Sequence, residues 1–266
     1  MSRIEQAFQN GKAFIAFLTC GDPNLETTAA LVREMASAGA DLIELGIPFS
    51  DPTAEGPVIQ AANARALAGG VTTDRIFELV RNLRTDVSVP LVFMTYANVV
   101  FSYGTERFLK TAAEAGIDGL ILPDVPFEEQ ADFAPACKTY GIDFIRLIAP
   151  TSNERIARIA KEAEGFLYCV SSLGVTGMRG QITTDIGEMV RQVRNANPNI
   201  PCAIGFGIST PEQAREMARH ADGVIVGSAI VRLVEQYQAG AVPVVGRYVR
   251  AMKDAISESS SAKESC

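Results

Sequence analysis

Eight short runs rich in β-branched and aromatic residues recur along the chain: AFIAFL (13–18), DLIEL (41–45), PLVFMTY (90–96), DGLIL (118–122), DFIRLI (143–148), GFLYCV (165–170), PCAIGF (201–206) and DGVIV (222–226). Between them lie segments such as ETTAALVREMASAG, TDRIFELVRNLR, GTERFLKTAAEAG and SNERIARIAKEAEG, whose apolar residues return every three or four positions. Several of these open on Ser, Thr, Asn or Asp and close on Gly, as capped helices do. Alternating strands and helices require parallel strands joined by helical crossovers. Eight such units in a chain of 266 residues predict a single α/β domain, a (β/α)8 TIM barrel over residues 1–256. The polar end SESSSAKESC (257–266) has no periodicity and is expected to be a disordered tail. A doubly wound open sheet is the alternative, but its glycine fingerprint is absent after the first strand, where TCGDPN stands. About 49 residues separate the starts of the second and third runs, which predicts an extended loop and an extra helix there.

Composition narrows the chemistry. The formal charge of −7 and a pI near 4.9 come with no basic stripe, which argues against nucleic acid and acidic membranes. The longest apolar stretch, VSVPLVFMTYANVVF, is interrupted by Pro90, Thr95 and Asn98, and MSRIEQAF has no apolar signal core. The five cysteines are scattered without a CxxC pair, as expected of reduced thiols. A cytoplasmic protein is the expectation. The single His220 lies at the end of a helix pattern, so neither a Ser–His–Asp triad nor a multi-histidine metal site is available. Lys12 precedes the first strand, Lys110, Lys138, Lys161 and Lys253 fall in helix patterns, and Lys263 lies in the tail. An imine-forming lysine at a strand's C-terminal end is therefore not expected, and acid–base work falls to carboxylates.

The stretch DLIELGIPFSDPTAEGP (41–57) carries the candidates. If Ile43 and Leu45 face the helices, Leu42 and Glu44 face the barrel interior. A carboxyl group there is desolvated and holds a proton toward neutral pH, which suits a general acid that later acts as base; an ion pair with an arginine is the other reading. Asp51 before Pro52 can serve as a turn initiator and Glu55 as solvated surface. GFGIST (205–210) brings Gly205 and Gly207 after the seventh run, and VGSAIVRLVEQ brings Gly227 and Ser228 after the eighth. Those two loops form the recurrent phosphate site of such barrels, although tight turns also use glycine. SSLGVTGMRGQI (171–182), with Gly174, Gly177 and Gly180, reads either as a lid or as an ordinary flexible loop.

Six segments, in positions that span the chain up to its tail, give these pieces a common pattern: LTCGDP (18–23), LIELGIPFSDPTAEGPVIQ (42–60), PDVPFEE (123–129), GVTG (174–177), GFGIS (205–209) and VGSAIV (226–231). In them the sequence closely resembles the tryptophan synthase α-subunit family. The resemblance implies a TIM-barrel lyase of tryptophan biosynthesis that cleaves indole-3-glycerol phosphate to indole and glyceraldehyde 3-phosphate. On the family's pattern Glu44 matches the catalytic glutamate, and Glu55 stands where the family usually has an aspartate. Phe17, Ile59 and Tyr168 match residues lining the indole and glycerol site, and Gly205, Gly207, Gly227 and Ser228 match the phosphate site. Thr176 matches a lid threonine, flanked by Gly174 and Gly177, with Asp124 as its partner. Asp51 matches a position near the contact with a β subunit. The resemblance further implies an α2β2 heterotetramer in which the β subunit carries pyridoxal phosphate and this chain carries no cofactor and no metal. Another phosphate-binding barrel, such as a sugar-phosphate isomerase or epimerase, and a barrel that only scaffolds its partner are the rival readings.

Overall fold

The computed structural model describes residues 2–150, 152–170, 186–205 and 207–261, the last four as backbone only. The described strands form one parallel sheet: β1 (Ala13–Thr19), β2 (Leu42–Gly46), β3 (Leu91–Met94), β4 (Gly119–Ile121), β5 (Asp143–Phe144), β6 (Arg146–Ile148), β7 (Leu167–Val170), β8 (Cys202–Gly205) and β9 (Gly223–Val226). Their spatial order is β5-β4-β3-β2-β1-β9-β8-β7-β6. The two outer members, β5 and β6, are halves of the single run 143–148. β5 pairs with β4 and β6 pairs with β7, while the Ile145 N–H between them donates to Leu120 O at 2.9 Å. The sheet thus closes on itself, and the nine strands are the eight expected runs with the fifth divided at the seam.

Closure gives every strand an inside and an outside, and the sequence alternates accordingly. Ile15, Leu42, Val92, Ile121, Ile145, Phe166, Tyr168, Ala203 and Ile225 pack together in the barrel interior. Their strand neighbours Phe14, Ile43, Phe93, Leu120, Leu167, Ile204 and Val224 join the larger core under the helices. The short helix α1 (Arg3–Ala7), started by a Ser2–Glu5 capping box, plugs the N-terminal end of the barrel with Ile4 and Phe8.

The helical layer contains α2 (Leu25–Ser37), α3 (Pro57–Ala68), α4 (Thr73–Leu83), α5 (Ala97–Tyr103), α6 (Thr105–Ala115), α7 (Ala134–Thr139), α8 (Asn153–Glu162), α9 (Ile186–Ala196), α10 (Pro211–Ala218), α11 (Ser228–Tyr237) and α12 (Ala241–Ser261). The side chains of Asn24, Thr72, Ser152 and Thr210 cap α2, α4, α8 and α10. The surplus length between β2 and β3 is taken up by a loop and α3, ahead of α4. α12 carries Val245, Val249, Met252 and Ile256, all fully buried, and packs on α2, α10 and α11. Once that stripe is docked, each further helical residue adds a backbone hydrogen bond at little cost. The helix accordingly runs on to Ser261, five residues into the segment expected to be a tail; residues 262–266 lie outside the described ones.

At the N-terminal end of the barrel, a repeated aspartate locks neighbouring strands. The Asp41 N–H donates to Phe14 O and its carboxylate accepts the Phe14 N–H, at 2.9 and 2.6 Å. Asp118 does the same with Leu91 (2.9 and 2.9 Å), and Asp222 with Cys202 (2.8 and 3.0 Å). Each carboxylate also meets a cation: Lys253 on Asp41, Arg84 and Arg3 on Asp118, Arg194 on Asp222. The carboxylate of Asp143, in the same position of its own run, accepts from Ser2 Oγ, and burial pushes it up to about 6.

Replacing Asp118 with Ala strands the Leu91 N–H and takes the counter-charge from the partly buried Arg84 guanidinium, which keeps the carbonyls of Gly116, Val87 and Val89. The expected loss is about 3 kcal/mol, read as a lower urea midpoint at unchanged slope. Asp143→Asn, which breaks no ion pair among the described residues, is expected to cost less than about 1 kcal/mol.

Candidate active site

Glu44 projects from β2 into the barrel interior near its C-terminal end, in register with Phe17 on β1 and Val92 on β3. It is completely buried, and neither carboxylate oxygen has a hydrogen-bond partner among the described residues. No arginine pairs with it there. Burial alone drives its carboxyl up to about 8. Tyr168 on β7 shares its surroundings; burial first, and then the Glu44 charge, raise that phenol well above its ordinary value.

Glu44 lies in the wall of a pocket at the C-terminal mouth of the barrel, with about 770 Å3 of space, its open mouth included. Phe17, Met94, Leu147, Tyr168 and Ile225 supply an apolar floor and walls. Ala54, Glu55 and Ile59 from the loop after β2 and α3, and Gly207, Ile208, Ser209, Gly227, Ser228 and Ala229 from the loops after β8 and β9, complete the rim. The start of α11 therefore points its first turn at the pocket, where backbone N–H groups and the helix dipole favour an anion. Gly207 has φ +80°, a conformation that suits glycine. Gly205 serves the pocket indirectly: a Cβ there would stand 2.6 Å from the Tyr168 ring and hydroxyl, so the missing side chain is what lets Tyr168 take its place.

The second carboxylate is held by a small framework. Asn63 Nδ2 donates to Glu55 Oε2 at 2.7 Å, Gln60 Nε2 donates to Glu55 O at 2.8 Å, and the Ala54 N–H donates to the Tyr96 hydroxyl at 3.1 Å. Burial raises the Glu55 carboxyl to about 7, opposed by the Asn63 bond, which favours the charged form. Asn63 is itself buried, one helical turn beyond Ile59 on the same face of α3. α3 is anchored in turn by Arg65, which grips the buried Asp22 after β1 at 2.9 and 2.8 Å and reaches Glu235 on α11 at 2.8 Å. α3, whose start follows the loop carrying Glu55, is thereby tied to the loop after β1 and to α11.

Eight of the residues singled out in the sequence meet in this one pocket: Phe17, Glu44, Glu55, Ile59, Tyr168, Gly207, Gly227 and Ser228. Asp124 is exposed and caps α5, both its oxygens accepting the Ala97 N–H at 3.1 Å. Asp51 is exposed in the loop after β2, beside Ser50. Gly174, Thr176 and Gly177 lie outside the described residues. His220 faces Glu216 beyond α10, on the outside of the barrel. Sequence reasoning passed over Asn63, Tyr96 and the Asp22–Arg65 pair. Asn63 could have been found as a polar residue on the apolar face shared by Ile59 and Ala62; the other contacts join residues more than forty positions apart and leave no local signal. Among the described residues no group of His, Cys, Asp and Glu is arranged to hold a metal ion, and no helix is long and apolar enough to cross a membrane.

A family model described as tryptophan synthase alpha chain matches residues 4–257. The tryptophan synthase alpha chain of Lacticaseibacillus casei is 47% identical over 256 residues, covering 96% of each chain. That of Lactiplantibacillus plantarum is 50% identical over 257 residues, covering 96% of this chain and 97% of the relative. Among solved structures, a chain of Mycobacterium tuberculosis tryptophan synthase superposes with a TM-score of 0.87 at 33% identity, covering 96% of this chain and 98% of that one.

A buried Glu44 makes stability depend on pH in a definite direction. Its folded-state value of about 8 exceeds the ordinary 4.5, so the folded state binds more protons between those values and stability falls as pH rises from about 4.5 through 8. Glu44→Gln removes this loss. The variant is expected to unfold at a higher temperature than the unaltered chain above pH 8, with the gap closing toward pH 5, in a series of thermal melts.

Proposed function

Because this chain belongs to the tryptophan synthase alpha chain family, we propose that its pocket cleaves indole-3-glycerol phosphate to indole and glyceraldehyde 3-phosphate, a carbon–carbon lyase step of tryptophan biosynthesis. The observation that carries this reading is the pairing of two desolvated carboxyl groups, Glu44 and Glu55, in one apolar pocket whose rim carries glycines and a helix N-terminus.

The bond to be broken joins indole C3 to the glycerol chain. Its electrons need somewhere to go, and the indole ring accepts them once C3 is protonated. Glu44, neutral below about pH 8, delivers that proton. Its carboxylate then removes the proton from the adjacent glycerol hydroxyl; the oxygen electrons form the aldehyde C=O as the C–C bond breaks, and the ring regains its aromatic form. One group thus serves as acid and then base, returning to its starting state. Glu55 accepts the indole N–H and stabilises the positive charge on nitrogen in the protonated ring. Its extra methylene relative to aspartate is accommodated by the Asn63 bond, which fixes where the carboxylate ends. Phe17, Ile59 and Tyr168 hold the ring, and Gly207, Gly227 and Ser228 hold the phosphate, fixing the reacting atoms in orientation. Gly174, Thr176 and Gly177 are assigned to a lid over this pocket with Asp124 as its support, on the family pattern alone.

The partner is a tryptophan synthase β subunit in an α2β2 complex, which receives the indole and carries pyridoxal phosphate; the face near Asp51 and Asp124–Pro126 is the docking side. The enzyme works in the cytoplasm, a reading supported by four described cysteines that are all free thiols.

Isolated chain supplied with indole-3-glycerol phosphate, and then the same mixture with a β subunit, is the deciding assay. Indole release is expected in the first case and faster turnover in the second; no turnover in either would remove the lyase reading and favour a scaffold. Glu44→Gln is expected to abolish indole formation in a folded protein, and Glu55→Ala to lower kcat by about 10²- to 10⁴-fold. The kcat/KM profile should be bell-shaped. Activity rises as Glu55 ionises near pH 7 and falls as Glu44 loses its proton near pH 8.

A further inference from the structure

The rim formed by Gly207, Ile208 and Ser209 is a short link between the end of β8 at Gly205 and the start of α10 at Pro211. Its far end is held with unusual completeness. Gln213 Oε1, on α10, accepts the Thr210 N–H at 3.2 Å together with the Ser209 N–H at 2.8 Å and the Ser209 hydroxyl at 3.1 Å. The Ser209 carbonyl, on the same peptide unit as the Thr210 N–H, accepts the Tyr248 hydroxyl at 3.0 Å. Tyr248 comes from α12, thirty-nine positions away and outside the ring of loops that line the pocket. Both polar ends of the Ser209–Thr210 peptide are therefore fixed, one by the helix that follows and one by the last helix of the chain.

This matters for an anion. A peptide free to rotate can swing its carbonyl toward a bound phosphate and replace attraction with repulsion. Binding the Ser209 carbonyl to a hydroxyl on the α12 side keeps that oxygen off the pocket. It also fixes the backbone of Ile208 and of the left-handed Gly207, which precede it by one and two residues. Burial raises the Tyr248 phenol above its ordinary value, so it stays a donor throughout the working pH range.

We propose that Tyr248 is a positioning residue for the phosphate-bearing end of the substrate, acting through the Ser209 carbonyl to set the shape of the Gly207–Ser209 rim. The proposal deepens the reading of this pocket as an indole-3-glycerol phosphate site and rests on it for the identity of the anion. Tyr248→Phe removes one oxygen and keeps the ring, so the packing of α12 is preserved.

The test compares glycerol 3-phosphate and indole as separate probes by calorimetry on the unaltered chain and on Tyr248→Phe. Binding must then re-order the freed Ser209–Thr210 peptide, at a cost of at most the one lost hydrogen bond, so the Kd for glycerol 3-phosphate is expected to rise measurably, by up to about tenfold, with the Kd for indole unchanged. In turnover of indole-3-glycerol phosphate the same factor is expected in KM with kcat preserved. An unchanged Kd for glycerol 3-phosphate overturns the proposal, as does an equal weakening of both probes, which marks general loosening of the barrel mouth. Tight glycerol 3-phosphate binding without any cleavage by the unaltered chain would instead remove the lyase reading and leave the role of Tyr248 standing.

Discussion

A closed parallel sheet has no free edge and only two kinds of side-chain position, and this protein's chemistry follows from that restriction. Every second residue of every strand is forced into the barrel interior, where water is scarce. In most positions the interior residue is Ile, Leu, Val, Phe or Ala. At position 44 it is a glutamate, completely buried and without a hydrogen-bond partner among the described residues. A charge in that place is costly, so the carboxyl holds its proton, and a proton available in a dry pocket is what the proposed cleavage consumes first.

The two ends of the barrel treat carboxylates in opposite ways. At the N-terminal end Asp41, Asp118 and Asp222 each accept a strand N–H and meet a cation, which makes them clamps between neighbouring strands. At the C-terminal end Glu44 has no such partner among the described residues, and Glu55 has the neutral amide of Asn63. The same chemical group is a clamp where its charge is compensated and is held toward its protonated form where burial outweighs compensation. The separation also lets the loops at the mouth be shaped for a ligand without weakening strand pairing at the other end.

Much of the fold was legible from periodicity. The eight apolar runs, the surplus length after the second and the parity that turns Glu44 inward all follow from repeats of two and of three to four residues. The seam at Ile145 was not legible, since DFIRLI is a single extended run and only closure decides that its halves pair with different neighbours. The extension of α12 to Ser261 was not legible for a related reason. SESSS has weak helical preference of its own, and a docked apolar stripe further up the helix overrides it.

Of the site, the sequence by itself determined which residue types stand at strand ends and in the loops that follow, because those positions are set by local repeats and by a long, specific stretch from Leu42 to Gln60. Only the tertiary structure decided that Glu44 has no ion-pair partner among the described residues, that Asn63 steadies Glu55, that Gly205 leaves room for Tyr168, and that Tyr248 reaches Ser209 from the last helix. Hydrogen bonding and desolvation depend on what lies within a few ångströms in space, and chain closure brings together residues that sequence distance keeps apart.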